Sequence, residues 1–290
     1  METIFSPLEL LPLRKIYVII PQDCILGIQN LIYMKKPLIL VTNDDGITAP
    51  GITALIDVAK RIGEVVVVAP DSPQSGMGHA ITISNPIRLH PSKVHEGVDA
   101  YECSGTPVDC VKLAKNVVLK GREIDLCVSG VNHGSNASIN IIYSGTLSAA
   151  MEASLEGIPS LGFSLLDFEY DADFDSSKPF VESLMRYVLE HGLAKGSLLN
   201  VNIPKLPTTE IKGMRVCRQA KARWIEEFME SSDPRGQKYY WLTGRFVNED
   251  TADDTDVWAL ENGYISVVPS MHDLTNYQAI KTLGAIEELS

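Results

Sequence analysis

Cysteine is sparse and unpaired in this sequence: Cys24, Cys103, Cys110, Cys127 and Cys217 are odd in number and contain no C-x-x-C spacing. That argues against a disulfide framework and is the pattern of reduced thiols in a cytosolic protein. Long apolar runs are also missing. The longest near the N-terminus, Ile16 to Ile20, is far too short to span a bilayer, and Pro7, Pro12 and Pro21 break its surroundings. Glu2 and Glu9 stand where a signal peptide needs positive charge, so neither a membrane anchor nor a leader is expected. Basic residues are short as well, 25 against 37 acidic, for a net charge of −12. Bulk attraction cannot hold a nucleic acid polymer under that balance. A small anion is still allowed, because a divalent cation or a ring of backbone N–H groups reverses the field locally. Three motifs are absent too: Walker A, a G-x-G-x-x-G after a strand, and the G-x-S-x-G elbow. P-loop, dinucleotide and serine-hydrolase chemistry therefore lack support.

What is present is a globular chain of 290 residues, 45% hydrophobic and 21% charged. Met34-Lys35-Lys36 directly before the strong strand Pro37–Val41 reads as a natural start. Residues 1–33 are thus expected to be an N-terminal extension outside the fold, and residues 34–290 the domain. Pro37–Thr42 is a doubly buried strand, Pro50-Gly51 opens a helix carrying Ile52, Leu55, Ile56 and Ala59 at helical spacing, and Glu64–Ala69 is a second buried strand. This βαβ unit is followed by strands near 125–130, 161–163 and 198–202 and by helices near 144–156 and 179–190. The class is α/β, doubly wound, with a mostly parallel Rossmann-like sheet over residues 34–205. Thr106-Pro107-Val108-Asp109 has the form of a helix start, with Thr as cap, Pro first and an acid three places on; a substrate role for Thr106 is the competing reading. Alternation fails over 206–262, where Trp224, Tyr239, Tyr240, Trp241 and Trp258 gather beside the acidic run Glu249–Asp254. A β-rich arm is expected there, burying itself on a partner chain or on its own domain, before a C-terminal segment 263–290.

Ligands of open α/β sheets bind outside the strand carboxyl ends. The loops there supply Asn43, Asp44 and Asp45; then Asp71, Ser72, Ser75, Gly76, Gly78 and His79; then Ser129, Gly130, Asn132, Gly134, Ser135 and Asn136; and at the next helix start Tyr143, Ser144, Gly145 and Thr146. Nearly all present oxygen. Hard donors of this kind suit Mg²⁺ or Mn²⁺ and not a structural zinc. Asp-Asp-Gly alone is equally a turn; the repetition of polar, Gly-rich loops after three apolar strands favours a site. Gly76 and Gly78 allow backbone N–H groups to approach an anion, and Ser144-Gly145-Thr146 adds a helix N-terminus. His79 and His133 flank these loops either as packing residues or as an acid or phosphate ligand.

The stretch Leu38–Gly46 with Ala49-Pro50-Gly51-Ile52 resembles the N-terminal signature of the SurE family, the stationary-phase survival nucleotidases. Further matches follow in order at Val68–Asp71 with Ser75-Gly76, Gly105–Cys110, Ser129–Asn132 with Gly134 and Asn136, Tyr143–Thr146, and Asp233–Gly236 with Tyr240-Trp241. The resemblance implies a metal-dependent, cytoplasmic 5'-nucleotidase acting on nucleoside monophosphates, assembled as a homodimer or homotetramer through the C-terminal arm. It places one divalent cation, Mg²⁺ or Mn²⁺, on Asp44, Asp45, Ser75 and Asn132, and phosphate contacts on Gly76, Asn136, Ser144, Gly145 and Thr146. Two positions depart from the family's usual pattern: Ser138 replaces a glycine, and Glu152-Ala153 replaces Glu-Gly.

The mechanism expected from this resemblance is hydrolysis by a metal-activated water, with Asp44 or Asp45 as general base or acid. An aspartyl-phosphate on either residue is the rival chemistry. Two other function classes fit an acidic loop site: a nucleotide-binding sensor without turnover, and a metal-dependent nucleotide-sugar transferase, whose D-x-D spacing is absent. No nucleic acid polymer and no membrane are expected as partners.

Overall fold

Strand β3 (Leu38–Thr42) has all five side chains buried because it lies inside a nine-stranded sheet covered on both faces. The structure, a computed structural model, describes residues 36–169 and 171–289 together with the backbone of two short strands before them. Those two, β1 (Ser6–Leu8) and β2 (Ile16–Val18), pair antiparallel within a separate unit, Met1–Pro37. The expectation for residues 1–33 otherwise lies outside the described residues.

In the second unit, Leu38–Ser290, the strands are β4 (Glu64–Pro70), β5 (Leu89–Ser92), β6 (Asp99–Cys103), β7 (Leu126–His133), β8 (Ser160–Leu165), β9 (Ser197–Ile203), β10 (Met214–Val216), β11 (Ala222–Ser232), β12 (Lys238–Asn248) and β13 (Ile265–Met271). The large sheet runs β10-β13-β9-β8-β7-β3-β4-β6-β5. Its six central strands, β9 to β6, are parallel, while β13 runs antiparallel to β9 and β5 antiparallel to β6. From β3 the chain first builds outward to β4, then returns to place β7 on β3's other side. The crevice between β3 and β7 is therefore the topological switch point, the place where open α/β sheets bind ligands.

The helices are α1 (Pro50–Ile62), α2 (Pro107–Leu113), α3 (Gly145–Leu155), α4 (Lys178–His191), α5 (Asp256–Glu261) and α6 (Tyr277–Leu283). Strand residues alternate between two cores. Ile39, Val41, Val65 and Val67 pack with Ile52 and Leu55 of α1 and with Val181 and Met185 of α4. Leu38, Leu40, Val66 and Val68 face Cys110 and Val111 of α2 and Ala149 and Ala153 of α3. The expected strands and helices up to Ile203 are all present. Strands β5 and β6 had no expectation: the edge strand β5, with His90 and Pro91, and its half-exposed neighbour β6, with Asp99 and Glu102, lack an apolar run.

The 206–262 region is only partly an arm. Strands β11 and β12 pair solely with each other, and their turn is held by Asp233, whose Oδ1 accepts from Arg235 N at 2.8 Å and Gln237 N at 2.9 Å. Phe228, Met229, Tyr240, Trp241 and Leu242 are exposed on this hairpin. Trp258 is a correction: it belongs to α5, stacked on Tyr264 at 6.4 Å with the Arg215 guanidinium over its ring at 4.9 Å. The acidic run does not project freely either, since Asp250 and Asp254 both grip Arg218. Helix α6 buries no residue and presents Tyr277, Ile280 and Leu283 to solvent. Among the described residues no helix is long and apolar enough to cross a membrane.

Candidate functional site

At the end of β3 the Asn43 side chain turns back to donate to Gly46 O at 2.8 Å, and Ile47 N donates to Pro70 O at 2.8 Å. These bonds fold the Asn43–Gly46 loop over the sheet edge and set Asp44 and Asp45 at the crevice. Asp44 is buried and accepts from the Thr146 hydroxyl. Burial, then repulsion from Asp45, pushes its carboxyl up from 3.8 to about 6, with the Thr146 bonds opposing. Asp45 is partly open, its Oδ2 3.4 Å from both the backbone N and Nδ1 of His133. The His133 ring in turn meets Phe174 edge-on at 4.7 Å.

Two close approaches lock the loops together. A Cβ on Gly51 would stand 1.9 Å from Val131 O, so the start of α1 presses on β7 beside Asn132. A Cβ on Gly145 would stand 2.6 Å from Asp44 Cβ, so the start of α3 is pressed onto the acidic pair. Ser144 caps α3 by accepting from Leu147 N at 3.1 Å, and receives the Ser148 hydroxyl on its carbonyl at 2.6 Å. That cap, worth about 1 kcal/mol, points the positive end of an 11-residue helix at Asp44.

Asn132 spends both amide donor directions on the chain, to His133 O at 3.0 Å and Gly134 O at 2.9 Å, which leaves its carbonyl oxygen as an acceptor. Ser75 lies exposed on the loop after β4, next to Gln74, whose N–H donates to Asp44 O at 2.7 Å. Gly76 follows with φ +78° and open space around it. Gly78 departs from expectation: its N–H is committed to Tyr143 O at 3.2 Å and is not free for an anion. Asn136 is likewise engaged inward. Its backbone N donates to Asn202 Oδ1 at 2.8 Å and its amide to Ser164 Oγ at 2.8 Å, while its carbonyl accepts from Asn200 at 2.9 Å. As found, it fixes the loop to β8 and β9.

Thr106 forms the full capping box with Asp109 and donates to Ala80 O at 2.8 Å, so the capping reading is the one realised. His79 donates to Glu152 Oε2 at 3.0 Å, and Lys112 reaches the other oxygen at 2.5 Å. This buried Glu152 anchors the Ser75–His79 loop, a function that sequence reading missed. Its one signal is a carboxylate alone in the small-residue helix Ser148–Ser154.

Whether these residues suit a cation can be tested on their own bonds. Among the described residues no Lys or Arg pairs with Asp44 or Asp45, and His133 is the basic side chain beside Asp45. Thr42 Oγ1, Asn43 Oδ1 and Ser129 Oγ are buried there without partners, Thr42 and Ser129 being neighbours in the β3–β7 register. No group of three His, Cys, Asp or Glu able to hold a metal occurs among the described residues. In their donor chemistry, two carboxylates with the neutral oxygens of Ser75 and Asn132 on the neighbouring loops suit a hard divalent cation better than zinc.

Fold and site together define a Rossmann-like α/β protein whose switch-point crevice joins an oxygen-rich acidic pair to a helix N-terminus. Residues 39–226 match the family model described as "Survival protein SurE". The chain is 60% identical over 251 residues to a Cytophaga hutchinsonii protein named 5'-nucleotidase SurE, covering 87% of this chain and 97% of the relative. It is 60% identical over 252 residues to the protein of that name from Flavobacterium psychrophilum, covering 87% and 98%. The crystal structure of SurE protein from Aquifex aeolicus aligns with a TM-score of 0.76 at 40% identity, over 87% of this chain and 100% of that one. The chain belongs to the SurE family.

Proposed function

We propose that the protein is a 5'-nucleotidase that hydrolyses nucleoside monophosphates to nucleoside and phosphate with one divalent cation, Mg²⁺ or Mn²⁺. The observation that carries this reading is the Asp44–Asp45 pair, which has no Lys or Arg partner among the described residues and is pressed against the start of α3. Asp44, Asp45, Ser75 and Asn132 would hold the cation. Bound there, a divalent cation supplies charge that polarises a phosphoryl group and lowers the pKa of water.

The chain's own residues account for the rest. Thr146 holds Asp44 in place through its hydroxyl and backbone N–H. The more open Asp45, beside His133, is the group placed to move a proton as general base or acid. The backbone N–H groups of Gly76 and Gly145 would stabilise charge that develops on the phosphoryl oxygens. The exposed apolar hairpin and α6 support assembly of a homodimer or homotetramer, and the thiol pattern supports a cytoplasmic location.

Phosphate release from a nucleoside monophosphate tests the reading. Release with Mn²⁺ that is lost in EDTA and in Asp44→Asn supports it. Binding without release favours a sensor, and an acid-stable phosphoryl adduct on the protein favours the aspartyl-phosphate route.

A further inference from the structure

We infer that Asp256 and Trp224, at the base of the hairpin arm, are positioning residues for the nucleoside side of the site, an inference that rests on the nucleotidase reading above. The segment between Asn136 and Ser144 forms the 3₁₀ turn Ser138–Ile142. One edge of it reaches the Ser75–Gly78 loop, where Gly78 N donates to Tyr143 O at 3.2 Å. Its outer side chains, Ile142 and Tyr143, are exposed at the rim.

The other edge is tied to the arm. Asp256 is fully buried, and its carboxylate accepts from three backbone N–H groups: Ser138 at 2.7 Å, Ala220 at 2.9 Å and Val257 at 2.8 Å. The Ser138 hydroxyl donates to Ala220 O at 2.9 Å. Two residues on, Asn140 Oδ1 accepts the Trp224 indole N–H at 2.8 Å, and that indole is braced edge-on by Phe246 at 5.6 Å across the hairpin. A buried carboxylate without a cation is costly unless its acceptor oxygens are filled, and here residues 118 and 36 positions away fill them.

The acidic pair is held by different bonds. Asp44 is fixed by Thr146 and by Gln74 N at its carbonyl, and none of these contacts passes through the arm. Loosening the arm's grip should therefore move the rim and leave the phosphoryl chemistry in place.

The test compares adenosine monophosphate with p-nitrophenyl phosphate, which has no nucleoside, in the full-length protein with Mn²⁺. Trp224→Phe removes the indole bond alone, Asn140→Ala removes it together with the Asn140 amide's bond to Ser135 O at 3.3 Å, and Asn140→Asp keeps the acceptor while losing that donor. The expected result is a KM for the nucleotide raised by roughly three- to tenfold in the first two, with kcat and p-nitrophenyl phosphate turnover unchanged and Asn140→Asp raising KM less than Asn140→Ala. Unchanged nucleotide KM, or equal losses on both substrates, overturns the inference. A parent protein that turns over p-nitrophenyl phosphate but no nucleotide overturns the nucleotidase reading itself, and is seen before any variant is made.

Discussion

Gly145 and Asp44 meet backbone to side chain, with room at residue 145 for a hydrogen and nothing larger: an added Cβ would lie 2.6 Å from Asp44 Cβ and 2.9 Å from its Oδ2. The helix that offers its N-terminus and the carboxylate that needs a partner are thus one packed unit. Gly145→Ala must displace the acidic loop or the helix start, so activity should fall by roughly a hundredfold, the loss that a misplacement of about 1 Å can cause. Steady-state assays with circular dichroism as the folding control check this, and a variant with parental kcat/KM would refute the packing argument.

Asp44 also sets a pH dependence. Its carboxyl titrates at about 6 in the fold against an ordinary 3.8, so the folded protein keeps that proton where the unfolded chain has lost it. The associated stability is full below 3.8 and disappears as pH rises through 6, a loss of about 3 kcal/mol in order of magnitude. Without metal, the melting temperature of the parent should drop relative to Asp44→Asn between pH 4 and 7. Mn²⁺ should raise it more at pH 8 than at pH 5, since cation and proton compete for the same oxygens. Parallel melting curves for the two proteins across that range would contradict the assignment.

Glu152 is predicted to matter far from any reacting atom. Glu152→Gln replaces a buried acceptor for both His79 and Lys112 by an amide that can serve only one of them well. A cost of about 1.5–3 kcal/mol is expected from urea unfolding. Proteolysis near Ser75–His79 should speed up, because that loop loses a tether. Equal cleavage rates in the two proteins would show that the ion pair does not restrain it.

Ser138 offers a comparison between two small residues. It has φ +55°, in the left-handed region, yet uses both its N–H and its hydroxyl on the arm. Ser138→Gly relieves backbone strain of about 1 kcal/mol while losing one hydrogen bond. Ser138→Ala loses the bond and keeps the strain. The alanine variant should be the less stable in denaturant titration, and the reverse order would mean the strain is not felt.

The large sheet was readable wherever burial on both faces writes a continuous apolar run, as in Leu38–Thr42 and Glu64–Pro70. It was unreadable where a strand has one neighbour or a polar face, as in Leu89–Ser92 and Asp99–Cys103. The loop ends carrying Asp44, Asp45 and Asn132 could be gathered from sequence because each follows such a run. What one strand's residues cannot disclose is which donors the fold has already spent. The N–H of Gly78 and the amide of Asn136 looked available and are engaged, on Tyr143 and Ser164. Asp256 shows the same limit from the opposite side, since the groups it accepts from at 138 and 220 are remote in the chain and carry no side-chain signature.

Strand β13 lies between β9 and β10 although it is the last strand made. Its antiparallel register puts Val267 against Val201 and Val268 against Asn200, sealing the edge of the parallel block. A nascent chain that has already assembled β3 through β9 must therefore hold that edge open until residues 265–271 emerge from the ribosome. During synthesis the bare backbone of β9 is an unpaired strand edge open to wrong pairing until β13 covers it.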